Sequence, residues 1–69
     1  MSNNLKKILI SEGISQAKLS RESGVSTTTI GKLYNHSDHF VSDTKKGAIV
    51  KGINKLIEED KYEFSQVFP

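Results

Sequence analysis

Cysteine is absent from the chain, which removes disulfides, thiolate zinc sites and cysteine nucleophiles together and fits a reducing compartment. Stability must then come from packing. Long apolar runs are missing too: the longest, Ile8-Leu9-Ile10, is far shorter than the roughly 20 residues that span a bilayer. The N-terminal residues lack the apolar core of a secretory signal, so a soluble, cytoplasmic protein is expected. Paired carboxylates, a phosphate-cradling glycine loop and a serine–histidine–acid set at recognisable spacing are not found, and no enzymatic step is expected. His36, Asp38 and His39 cluster in a polar stretch without a fourth ligand, so neither a metal nor another cofactor is expected. Internal repeats, low-complexity linkers and strand-like alternation are missing as well.

What is present is a short chain with an uneven charge. At 69 residues it is expected to form a single domain over 1–69, burying only about 60% of the surface its unfolded form would expose. A large cleft is excluded at that size. Residues 1–57 hold nine Lys/Arg against four Asp/Glu, and residues 58–69 hold one against four. The body is therefore basic and the end acidic, which suits a body that meets a polyanion while the end faces something else.

Hydrophobic spacing divides the chain into helices. Leu5, Ile8 and Leu9 follow a cap at Asn3 or Asn4 and predict a first helix ending near Gly13. Ser15 can cap a second helix, about 16–23, with Leu19 inward and Gly24 in the left-handed position that follows many helix ends. Ser26 can then cap on the backbone N–H of Thr28 or Thr29 and open a third helix, about 27–35, with Ile30, Leu33 and Tyr34 on its apolar face. His36 to Asp43 reads as a loop anchored by Phe40 and Val41. A fourth helix is expected from a cap at Asp43 or Thr44, with Ile49, Ile53, Leu56 and Ile57 inward. Its Gly47 and Gly52 lower stability unless another backbone packs closely there. It fades in Glu58-Glu59-Asp60, and "YEFSQVFP" supplies a short closing turn or helix.

Thr27, Thr28 and Thr29 are mediocre helix formers because β-branching restricts χ1, yet they open the third helix. Two short helices joined by a glycine-containing turn, the second beginning with small polar residues, form the layout that enters a DNA major groove. At "SQAKLSRESGVSTTTIGKL" the sequence resembles the phage-repressor and Cro-like (Xre-type) helix-turn-helix family. Its pattern is roughly S-Q-x-x-L-A-x-x-x-G-V-S-x-x-x-I. Ser15, Gln16, Leu19, Gly24, Val25, Ser26 and Ile30 match it, and Ser20 stands where alanine is usual.

The resemblance implies an all-α, lambda-repressor-like bundle of five short helices that contains a helix-turn-helix. It implies sequence-specific binding of double-stranded DNA by a transcriptional regulator, a repressor in type, acting as a homodimer on an inverted-repeat operator with half-sites about one helical turn apart. Thr27, Thr28, Gly31 and Lys32 match the base-facing positions. There a threonine methyl can touch the thymine methyl and Lys32 can approach guanine. Gly31 departs from the longer polar residues common at its position, which thins direct readout and enlarges the share left to DNA shape.

For Gln16 the readings are a phosphate contact, bracing of a neighbouring recognition side chain, or a purely structural hydrogen bond. Ser26 can cap and donate to a phosphate. Asn35, Lys45 and Lys46 match positions that grip the second strand's backbone, although Lys45 and Lys46 also fit a solvated helix start. Lys18 and Arg21 read as surface charges. Tyr62, Phe64 and Phe68 either close the small core or form a dimer seam. The rival to DNA binding is a helical protein-interaction module of the same fold, antitoxin-like or a repressor's partner, which the thin face at Gly31 motivates.

Overall fold

The computed structural model describes residues 3–69, so Met1 and Ser2 of the expected single domain lie outside the described residues. Five helices follow in order: α1 (Leu5–Glu12), α2 (Gln16–Ser23), α3 (Thr27–Asn35), α4 (Asp43–Ile57) and α5 (Phe64–Val67), with no strand among the described residues. This is an all-helical bundle of the lambda-repressor-like kind. No helix among them is long and apolar enough to cross a membrane.

Local chemistry sets most of the boundaries. The Ser15 hydroxyl accepts from the Lys18 N–H at 3.0 Å, and the Ser26 hydroxyl accepts from the Thr29 N–H at 3.2 Å. Each satisfies a donor that the first helical turn leaves unpaired. Gly13 (φ 67°) and Gly24 (φ 77°) end α1 and α2 in the left-handed region, where a side chain would be strained.

The two asparagines expected to cap α1 divide the work, and the expected cap of α4 is off by one residue. Asn4 occupies the capping position of α1 without a side-chain cap, and the Asn3 carboxamide oxygen accepts from the Leu5 N–H at 2.8 Å instead. The cap of α4 is Ser42, one residue before the expected Asp43 or Thr44, and its hydroxyl accepts from the Lys45 N–H at 3.4 Å. Asp43 is the first helical residue, where its charge suits the positive end of the helix.

One apolar core joins the elements. Leu5 and Leu9 of α1, Leu19 of α2, Ile30 and Leu33 of α3, Ile49 and Ile53 of α4, and Val67 of α5 are all at most 1% exposed. The expected inward stripe of α4 is met at Ile49 and Ile53, while Leu56 and Ile57 are half-buried and Val50 takes an unforeseen buried place. Gly52 lies where α2 crosses: a Cβ there would stand 3.1 Å from the Ser23 Cβ and 3.3 Å from the Leu19 Cδ1. That glycine admits the neighbouring helix, whereas Gly47 has nothing within 4 Å and serves no such approach.

The loop before α4 is corrected by half. Val41 is buried, but Phe40 is 82% exposed and anchors nothing in the core. Phe68, only 7% exposed, supplies the buried ring on that side, and the Lys46 ammonium stands 5.9 Å from the Phe40 ring centre and 5.5 Å from that of Phe68.

The start of α1 and the segment after α4 are tied down by side chains. The Asn3 amide donates to the carbonyls of Leu33 and Ser37 at 3.2 and 3.0 Å. The Asn4 amide donates to the Gln66 carbonyl at 2.8 Å, beside a backbone bond from the Asn4 N–H to the Val67 carbonyl. After α4 ends at Glu58, a non-glycine residue held at φ 59°, Asn54 grips the returning chain. Its amide donates to the Tyr62 carbonyl at 2.8 Å and its oxygen accepts from the Tyr62 N–H at 3.0 Å.

Glu12 completes this clasp, accepting from the Lys61 ammonium at 2.7 Å and the Tyr62 hydroxyl at 2.6 Å. The bond from Lys61, then that from Tyr62, holds the Glu12 carboxyl below the usual carboxylate range. The same contacts raise Lys61, and Glu12 followed by desolvation raises Tyr62.

Candidate nucleic-acid interface

The two sides of α3 have different company. Ile30 and Leu33 are 0% and 1% exposed, whereas Thr27, Thr28 and Lys32 are exposed and Gly31 is half-buried. Positions three and four apart share a helix face, so these four form one outward patch. Thr29 is not part of it. That side chain is half-buried and its Oγ1 accepts from the Ser26 hydroxyl at 3.0 Å, which makes it an accessory to the cap. The Ser26 hydroxyl is thus engaged within the first turn both as acceptor and as donor.

Gln16 opens α2 and is half-buried. Its Oε1 lies 3.3 Å from the point where a Cβ on Gly31 would stand. The missing side chain therefore leaves room for the amide of another helix on the surface of α3. The first turns of α2 and α3 also present unpaired backbone N–H groups and the positive ends of their dipoles, which favour an anion.

Asn35 ends α3 in an exposed position and lines a groove with Asn3, Asn4, Lys6, Lys7 and Tyr34. The Lys6 ammonium stands 5.8 Å from the Tyr34 ring centre, within cation–π reach. These two lysines were not singled out from the sequence. Their only signal was a basic pair on α1, and nothing local shows that α1 packs beside the end of α3.

Lys45 and Lys46 occupy the first turn of α4. Lys45 is exposed, while Lys46 is half-buried and directed at the Phe40 and Phe68 rings. The two are neighbours in sequence with different surroundings. At the other end of α4, Glu58, Glu59 and Asp60 are exposed. The helix rise puts the basic and acidic ends roughly 20 Å apart. Among the described residues no group of three or more His, Cys, Asp or Glu side chains could hold a metal ion.

The three aromatic residues near the C-terminus part company. Phe68 is buried in the chain's own core, Tyr62 is half-buried against Glu12, and Phe64 is 41% exposed with its ring 5.8 Å from that of Phe68. Of the three, only Phe64 offers a substantial free surface to a second molecule.

A family model described as "Cro/C1-type HTH DNA-binding domain" matches residues 4–44, from the start of α1 into the first turn of α4. No curated protein and no solved structure matches the chain. The match covers more than half of the sequence and takes in both helices of the motif together with the turn that joins them, and on that ground the chain belongs to the Cro/C1-type HTH DNA-binding domain family.

Proposed function

We propose that the protein is a transcriptional repressor that binds a specific site on double-stranded DNA as a homodimer, with α3 of each copy in a major groove of an inverted repeat. The observation that carries this is the outward patch of Thr27, Thr28 and Lys32 on a helix whose start is capped and whose opposite side is fixed in the core. Short side chains let the backbone come close to the base edges, and Lys32 is the group for guanine. Asn35, Lys45 and the Lys6–Lys7 pair hold the phosphates, with Lys46 contributing charge from its place over the two rings. The whole chain acts as one domain, in the cytoplasm and without a cofactor.

Fluorescence anisotropy with random duplex DNA at low and moderate salt tests the polyanion contact, and binding should weaken steeply as salt rises. On a site selected from a random library, Thr28→Ala or Lys32→Ala should each weaken binding by about 1 to 3 kcal/mol, and Lys45→Ala should lower the salt slope by about 1. A loss from Thr28→Ala that is equal on all sequences overturns the base contact. Absence of salt-dependent binding to any duplex favours the protein-interaction reading, for which the 82% exposed Phe40 ring is the supporting observation.

A further inference from the structure

We infer that Gln16, a residue of α2, reads a base pair through the space that Gly31 leaves on α3. The inference rests on the DNA-binding reading above and adds a specificity determinant to it. Gln16 Oε1 lies 3.3 Å from the ideal Cβ position of Gly31, so the amide oxygen lies tightly against α3 at the one residue of that helix without a side chain. Gly31 belongs to the same outward face as Thr27, Thr28 and Lys32, one helical turn after Thr27 and Thr28.

Among the described residues the Gln16 amide has no hydrogen-bond partner in the chain, and its Oε1 lies beside Gly31. A glutamine amide offers one acceptor and two donors. Those groups match the N6 donor and N7 acceptor of adenine in the major groove, a pairing that neither the threonine hydroxyls nor the Lys32 ammonium can make in bidentate form. The glycine therefore does not leave a gap in the reading face. It hands that position to a longer side chain from the preceding helix.

A neighbour at 3.3 Å is tighter than most Cβ contacts. Gly31→Ala would therefore push the Gln16 amide aside by a few tenths of an ångström, shifting its polar groups without removing them. Gln16→Ala removes them, and Gln16→Glu keeps the length but replaces the donors with a carboxylate that accepts from cytosine N4.

The test uses a site selected by the wild-type protein from a random duplex library, followed by competition against duplexes carrying each single base-pair change. Wild type should prefer A·T at one position of each half-site by roughly 5-fold to 150-fold. Gln16→Ala should erase that preference and leave the others intact, Gln16→Glu should move it to C·G at the same position, and Gly31→Ala should weaken it alone. A uniform loss on all sequences from Gln16→Ala, with every preference retained, overturns the inference in favour of a phosphate contact. Unchanged binding overturns it in favour of a structural role. If the wild type binds no duplex at any salt, the DNA-binding reading fails first and this one with it; if it binds duplex and only the Gln16 variants behave as wild type, this one fails alone.

Discussion

The helix-turn-helix limb and the two chain ends are held by different kinds of bond. In residues 15–35 the side chains' own hydrogen bonds reach at most three residues, as from Ser15 to Lys18 and Ser26 to Thr29, and a single exposed ion pair, Glu22 with Lys55 at 3.3 Å, reaches further. At the ends they reach across the whole molecule, from Asn3 to Leu33 and Ser37, from Asn4 to Gln66, and from Glu12 to Lys61 and Tyr62. The limb that carries the outward patch thus has its helix starts set by itself, and its position set by partners elsewhere. A sequence pattern can show the first of these and not the second.

The largest effect should come from the apolar core on which both regions pack. Leu19 is fully buried and lies against α4 at Gly52, so Leu19→Ala should lower unfolding free energy by about 2 to 5 kcal/mol. In a chain this short that approaches the whole of its stability, so urea titration should show a midpoint near zero.

An intermediate pair separates the two regions directly. Asn54→Ala removes both hydrogen bonds to the Tyr62 backbone, and leaves a carbonyl and an N–H without partners. It should lower stability by about 1 to 3 kcal/mol while leaving DNA affinity unchanged well below the melting temperature. Ser26→Ala removes the cap of α3 and should lower stability by about 0.5 to 2 kcal/mol, but here DNA affinity should fall as well. Equal effects of the two variants on DNA binding would erase the distinction between limb and ends.

The smallest effect should appear at Glu12, whose bonded groups are near solvent. Its carboxyl is held low in the folded state, first by Lys61 and then by Tyr62. The stability it contributes is present above the titration of an unfolded carboxylate and is lost as pH falls through the lowered folded value. Lys61 and Tyr62 are raised, so their contribution is lost at the alkaline end, as pH rises through their folded values. Thermal melts of Glu12→Gln against wild type should show a lower midpoint at neutral pH and a difference that shrinks in acid. A difference that widens in acid would contradict the clasp.

The same division explains what could be read in advance. Ser15, Gly24, Ser26 and the apolar pair Ile30 and Leu33 were legible because each acts on residues within one turn. Ser42 was not, because three successive polar residues could each cap. Phe40 misled because spacing does not show which ring is buried: it stays exposed, while Phe68 from the far end of the chain is buried near the same Lys46. Asn54 and Glu12 carried no local signal, since their partners lie 8 and about 50 residues away. On the proposed interface, the side of α3 that faces out was readable from spacing. The approach of Gln16 to Gly31 was not, because it depends on how α2 and α3 cross.

The adjacent asparagines at the start of α1 act as a seam. Asn3 holds the carbonyls at the end of α3, and Asn4 holds those of Gln66 and Val67. Opening at the start of α1 is thereby linked to opening of α5, and both to the stretch that follows α3. A duplex that quiets Leu33 to Ser37 should slow amide hydrogen exchange in α5, a segment it never touches.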